Sequence, residues 1–173
     1  MTFSIKAIIR AFAAPDHGIV CHKHLWRQVV REIERRGGHK TEAGAFLLGR
    51  ELSGPARIEN VVFYDDLDPN AYSSGACILH SDAFAKLWAI CRAHQLTVLA
   101  DVHSHPGVGF QSHEDRTNPM VARAGHVAII LPDYARWPIN QRRLGIYEYR
   151  GSHEWADRRP VAAPGFFYTG FWS

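Results

Sequence analysis

The chain has 173 residues, of which 46% are hydrophobic and 21% charged, the proportions of an ordinary globular chain about one domain long. Its formal net charge of +3 is too mild to signal nucleic-acid binding, and no apolar run approaches the roughly 18 residues needed to span a bilayer. Eleven histidines are many for this length and direct attention to metal or acid–base chemistry.

The three cysteines, Cys21, Cys77 and Cys91, are odd in number and far apart. No disulfide framework is expected, and a reduced, cytoplasmic setting fits. Ala11, Phe12 and Ala13 imitate a signal-peptide cleavage site, but Lys6 and Arg10 interrupt any apolar stretch before it, so no leader is expected. There is no repeat, low-complexity tract or linker, and residues 1–173 read as a single domain.

Residues 3–12 are rich in Ile and Phe and read as a strand, followed by a turn cluster from Pro15 to Gly18. Residues 22–36 read as an amphipathic helix. Leu25, Val29 and Ile33 share one face, Trp26 and Val30 widen it, and Gly37 and Gly38 stop it. Residues 42–50 form a mostly apolar segment with two glycines, expected to be a buried strand. Residues 57–64 read as a second strand and 65–75 as a loop. Residues 76–80 read as a short strand, after which Ser81 is placed to cap a helix reaching about His94. Phe84, Leu87, Trp88 and Cys91 would line one side of it.

Residues 96–105 read as a strand entering a loop, and 112–118 as a short helical turn. Residues 127–131 and 144–149 read as two more strands. The end of the chain, from Phe166 to Trp172, is dense in aromatics and is expected to complete the core rather than to dock a partner, because so many exposed rings would invite aggregation. Loose alternation of strands and helices implies an α/β or α+β fold, a mixed sheet with helices packed against it.

The stretch from Asp101 to Asp115 carries the chemistry. Strand residues two apart point to one face, so His103 and His105 present two imidazoles side by side. Pro106 ends the pairing, and Gly107 and Gly109 allow a sharp turn. Ser112 then looks like a helix N-cap with Asp115 three residues on, and the loop can fold Asp115 back towards the two rings. Two imidazoles and one carboxylate make a three-ligand metal site with a position open for water. Ser112 with Asp115 alone would be an ordinary capped turn. Cys21, His22 and His24 offer a similar spacing. That segment opens a helix, however, where positions two apart point about 200° from one another, so poor chelation is expected.

The combined pattern resembles the JAMM motif of the JAB1/MPN/Mov34 metalloprotease family, His-x-His-x7-Ser-x-x-Asp. One departure is evident: only six residues, Pro106 to Gln111, separate His105 from Ser112. Placing His113 in the serine position restores seven but breaks the Ser-x-x-Asp spacing, so a one-residue deletion in the glycine loop is the better reading. The family also has a glutamate before a glycine-rich apolar run ending in Leu-Gly. Glu42, followed by the run to Leu48 and Gly49, resembles it, whereas the competing reading of Glu42 is a solvated strand-edge carboxylate. The resemblance spans roughly residues 18–131. It implies an MPN-like domain with a mixed, mostly antiparallel sheet.

The resemblance also implies roles. His103, His105 and Asp115 would hold Zn²⁺, which lowers the pKa of a bound water to about 7. Glu42 would be the general base and Ser112 the oxyanion donor. The reaction would be peptide or isopeptide hydrolysis after the C-terminus of a ubiquitin-like protein, with E1- and E2-like enzymes as companions and no nucleic acid or membrane involved. Asp101 shares the face of His103 and could orient its ring, or simply form a strand-end salt bridge. The competing functional classes are a non-catalytic MPN scaffold, which would lack some metal ligands, and a nucleic-acid-associated relative of the RadC type. For the latter, the pairs Arg142-Arg143 and Arg158-Arg159 are the only hint.

Overall fold

The computed structural model describes residues 18–50 and 54–170. In chain order the elements are β1 (Ile19–His22), α1 (Lys23–Gly37), β2 (Gly44–Arg50), β3 (Ala56–Phe63), α2 (Tyr64–Leu67), α3 (Ser81–His94), β4 (Thr97–Ser104), α4 (His113–Thr117), β5 (Val127–Leu131), β6 (Gly145–Gly151), β7 (Glu154–Asp157) and β8 (Phe167–Gly170). Short 3-10 turns lie at Asp133–Ala135 and Gln141–Arg143. The strand expected over 3–12 lies outside the described residues.

The eight strands among the described residues join one mixed sheet in the order β7-β6-β5-β4-β2-β3-β1-β8. The pairings β2–β3, β2–β4, β5–β6 and β6–β7 are antiparallel, and β1–β3, β1–β8 and β4–β5 are parallel. The expected class therefore holds: an α/β fold whose mixed sheet is mostly antiparallel.

The sheet is covered on both faces, which is why β2 is an almost unbroken apolar run, buried from Gly44 to Gly49. Ala45 and Leu47 face α1, whose Trp26, Val29, Val30 and Ile33 recur at helical spacing and bury against them. Phe46 and Leu48 face the other way, onto Tyr64, Leu67, Leu87 and Cys91. Each fully buried Val, Leu, Ile or Phe among them contributes about 1.5–3 kcal/mol by leaving water. Gly38, with φ 55, closes α1 as expected: its N–H donates to the Glu34 carbonyl at 3.0 Å. No helix among the described residues is long and apolar enough to cross a membrane.

Four expectations need correction. Residues 76–80 form no strand, because both sides of β2 are taken by β3 and β4. The segment is instead hooked to the preceding turns by the Ile78 N–H on the Ala71 carbonyl, at 2.9 Å. Ser81 is the first residue of α3 rather than its cap, which is His80 without a side-chain bond. Trp88 stays at the rim of α3, 36% exposed, while Ala83 is buried in its stead. Finally, β7 was not foreseen. The turn before it uses Ser152 and His153 at φ 50 and 59, where sequence reading looks for glycine or asparagine.

The aromatic end of the chain enters the sheet. Phe167 belongs to β8, paired parallel to β1, and its ring lies 4.9 Å from that of Trp26. Phe171 and Trp172 lie outside the described residues.

Candidate metal centre

The centre is built at the C-terminal end of β4. Opposite residues in adjacent strands share a face, and β2 pairs Phe46 with Asp101 and Gly44 with His103. Both polar side chains therefore point to the side of Phe46 and Tyr64. A Cβ on Gly44 would sit 2.5 Å from the Tyr64 ring and 2.9 Å from the Cβ of His103, so only glycine lets β2 approach so closely. His105 lies just past the strand, yet its backbone continues the ladder: its N–H donates to the Leu131 carbonyl at 2.9 Å, and its carbonyl accepts from the Tyr134 N–H at 2.7 Å. The two-residue period is kept, and the Nε2 atoms of His103 and His105 come within 3.1 Å.

The loop then returns Asp115. Ser112 caps α4, its Oγ accepting the Asp115 N–H at 3.0 Å, while Asp115 Oδ2 accepts the Ser112 N–H at 2.7 Å. The capping reading of this pair is thus correct, and it coexists with the metal reading, since the same carboxylate reaches both imidazoles. The loop manages with six residues because Gly109 lies directly on the start of β6. A Cβ there would meet the Arg143 carbonyl at 2.6 Å and the Gly145 nitrogen at 2.8 Å. His113, the rejected serine equivalent, is exposed on α4.

Asp115 Oδ1 stands 3.4 Å from His103 Nε2, and Oδ2 stands 3.2 Å from His105 Nε2. The two nitrogens stand 3.1 Å apart, so each imidazole faces the other and one oxygen of the same carboxylate. Imidazole and carboxylate ligands about 2.0–2.1 Å from one tetrahedral ion stand about 3.3–3.4 Å apart, and each of these contacts lies near that spacing, the two imidazoles meeting different oxygens of the carboxylate. Among the described residues, this is the one group in which three such ligand atoms converge. Burial opposes charge on His103, but Asp101 and Asp115 outweigh it and raise its pKa to about 10. Burial would likewise raise Asp115, but the two imidazoles and the Ser112 N–H hold it well below the usual carboxylate range. The pocket thus favours positive charge at its centre.

Glu42 stands beside this cluster, its Oε1 3.9 Å from His105 Nε2. Its backbone is fixed on both sides. The Glu42 N–H donates to the Gly75 carbonyl at 3.0 Å, and the following Ala43 N–H donates to Ser104 Oγ at 3.1 Å. A carboxylate at the entrance to a metal pocket can take a proton from a water there and pass it on.

Behind His103, Asp101 is buried and does orient the ring, with Oδ2 3.2 Å from His103 Nδ1. Its other oxygen lies 2.7 Å from Nε2 of His126, and the Tyr64 hydroxyl lies 3.4 Å from Oδ2. Burial pushes Asp101 up, but these imidazoles bring it below its ordinary value. His126 and Tyr64 were missed in the sequence, where no spacing ties either to residues 101–115.

Cys21, His22 and His24 form no such site. His22 Nδ1 accepts the His24 N–H at 3.2 Å as the cap of α1. Burial pushes the Cys21 thiol up to about 12, which keeps it protonated.

The chain is similar to several known proteins. One curated relative, the "Probable metalloprotease y4jG" of Sinorhizobium fredii, is 26% identical over 84 residues, 48% of this chain and 52% of that protein. The chain thus spans about half the length of the relative it matches. Two solution structures share the fold, each at 17% sequence identity. Protein DSY2949 from Desulfitobacterium hafniense has a TM-score of 0.57 over 80% of this chain and 88% of its own. A protein from Salinibacter ruber has a TM-score of 0.51 over 79% and 86%. The sequence profile of prokaryotic homologs of the JAB domain matches residues 22–143, which takes in Glu42, both imidazoles, Ser112 and Asp115. That match covers more than half of the chain, and the chain belongs to this family.

Proposed function

We propose that the chain is a zinc-dependent hydrolase that cleaves the peptide or isopeptide bond following the C-terminus of a ubiquitin-like protein. One observation carries the reading: ligand atoms of His103, His105 and Asp115 converge within 4.8 Å of one another, with the Glu42 carboxylate 3.9 Å from His105 Nε2. Two imidazoles and a carboxylate suit zinc, and three protein ligands leave a position open, the pattern of catalytic sites. The name of the Sinorhizobium relative, a probable metalloprotease, supports hydrolysis. The ubiquitin-like substrate and E1- and E2-like companions rest on the resemblance to the JAMM family. Three free cysteines suit a reducing cytoplasm.

Zinc held by His103, His105 and Asp115 would polarise the scissile carbonyl and acidify a water beside it. Glu42 removes a proton from that water as its oxygen bonds to the carbonyl carbon. Ser112 has a lone pair engaged by the Asp115 N–H, which leaves its own O–H to donate to the carbonyl oxygen as charge develops there. Glu42 then delivers the proton to the leaving amine as the C–N bond breaks. One water is consumed, and one carboxylate and one amine are formed.

The test is cleavage of a fusion in which a ubiquitin-like domain ending in Gly-Gly precedes a reporter, alongside the matching lysine-linked conjugate. Cleavage after the last glycine is expected, abolished by a chelator and restored by zinc. Stoichiometric zinc with neither substrate cleaved would overturn the hydrolase reading in favour of a scaffold.

A further inference from the structure

A buried polar chain stands behind the metal-facing imidazoles, and the mechanism above leaves its far end unused. His126 is 0% exposed. It lies just before β5, which runs parallel to β4 with Ala128 beside Asp101. Two residues earlier than Ala128, His126 falls on the same face as Asp101, and its Nε2 reaches Asp101 Oδ1 at 2.7 Å. The other oxygen of Asp101 faces His103 Nδ1 at 3.2 Å.

A carboxylate only accepts, so both rings must donate to it. His103 therefore carries a proton on Nδ1, and Nε2 is the nitrogen it turns towards His105 and Asp115. His126 uses its N–H on Asp101, and its Nδ1 is buried with no hydrogen-bond partner. An apolar side chain of similar size would fill this space without an orphaned nitrogen. Among the described residues the bond to Asp101 is the one polar contact of the His126 ring, and it is directed at the group that faces His103.

We propose that His126 is a positioning residue of the metal centre. It holds the Asp101 carboxylate so that Asp101 fixes the orientation and tautomer of His103. Without this donor, Oδ1 is a buried acceptor with no partner. The carboxylate then turns to find one, and the His103 ring loses its anchor. The inference rests on the reading of His103, His105 and Asp115 as metal ligands, but not on any substrate.

The experiment measures cobalt affinity of the metal-free full chain, by competition with a chromophoric chelator, together with the visible spectrum of the cobalt-loaded protein. His126→Leu removes the donor and keeps the volume. His126→Asn keeps an amide, but one too short to reach Asp101. His126→Gln returns an N–H at about the reach of Nε2. The Leu and Asn variants are expected to bind cobalt 10- to 100-fold more weakly, the usual scale for losing a partner of a metal-ligating histidine, and to show a changed cobalt spectrum. His126→Gln should recover most of the loss. Should His126→Leu not fold, the Asn and Gln pair decides alone. Wild-type affinity in the donor-less variants, or an equal loss in all three, overturns the role. A wild-type chain that takes up no cobalt overturns the metal centre and this role together. Failure to cleave ubiquitin-like fusions leaves the affinity result standing.

Discussion

Ser112 and Asp115 hold each other by two reciprocal hydrogen bonds, side chain to backbone at 3.0 and 2.7 Å, and the same Asp115 carboxylate faces both metal-side imidazoles. The helix cap and the carboxylate of the candidate metal cluster are thus one structure. The cap fixes the carboxylate before any ion arrives.

This double role separates two effects of Ser112→Ala. Loss of the cap should lower stability by about 1 kcal/mol, read as a lowered melting temperature. Loss of the oxyanion donor should reduce cleavage by about 10²- to 10³-fold while the protein keeps its zinc. A lower melting temperature with undiminished cleavage would leave Ser112 as a cap alone.

Among the described residues Glu42 is not one of the three side chains whose ligand atoms converge, its Oε1 standing 3.9 Å from His105 Nε2. Glu42→Gln should keep full zinc occupancy and the fold, bind the fusion substrate, and cleave it about 10²-fold or more slowly. Zinc loss in this variant, measured by elemental analysis, would make Glu42 a ligand and require a different mechanism.

His103→Ala and His105→Ala should each empty the site. His22→Ala and His24→Ala should leave zinc at one ion per chain, since His22 serves as a helix cap. Metal content of the four purified variants decides the assignment.

Gly109→Ala tests the short loop. The added methyl meets backbone atoms at 2.6 to 2.9 Å, which cannot yield as a flexible side chain does. A cost of about 1–3 kcal/mol is expected, the scale of overpacking, and metal affinity should fall because Ser112 and Asp115 move with the loop. Gly107→Ala, with nothing near its Cβ, should have little effect on either.

Acid sensitivity has an identifiable contributor away from the metal. Hydrogen bonding from Arg35, opposed by burial and aided by Arg36, lowers the Glu32 carboxyl from 4.5 to about 2. A depressed carboxyl stabilises the fold above its unfolded pKa, and that contribution is lost as pH falls from about 4.5 through 2. The melting-temperature difference between wild type and Glu32→Gln should therefore be greatest near neutral pH and shrink towards pH 2. A constant difference would mean that the contact acts through packing rather than charge.

Periodicity alone located α1, β2, β5 and most of β4, because their apolar residues recur at 3.6 or run unbroken through a covered sheet. It failed at residues 76–80, where the composition suits a strand but no free sheet edge lies beside it. It failed also at β7, where positive-φ turn residues were not glycine.

The sequence by itself determined which residues make up the candidate metal cluster. His103, His105, Ser112 and Asp115 lie within thirteen residues, so local strand and turn geometry is enough to bring them together. Glu42 was reachable only through a family pattern, because its approach depends on the pairing of β2 with β4 and on a glycine at position 44. His126 was legible by neither route. Its contact with Asp101 exists because β5 lies parallel to β4 in one particular register, and a shift of one residue would turn its ring to the opposite face. Strand register is settled by the packing of the whole sheet between α1 and α3, and no short stretch of sequence encodes it.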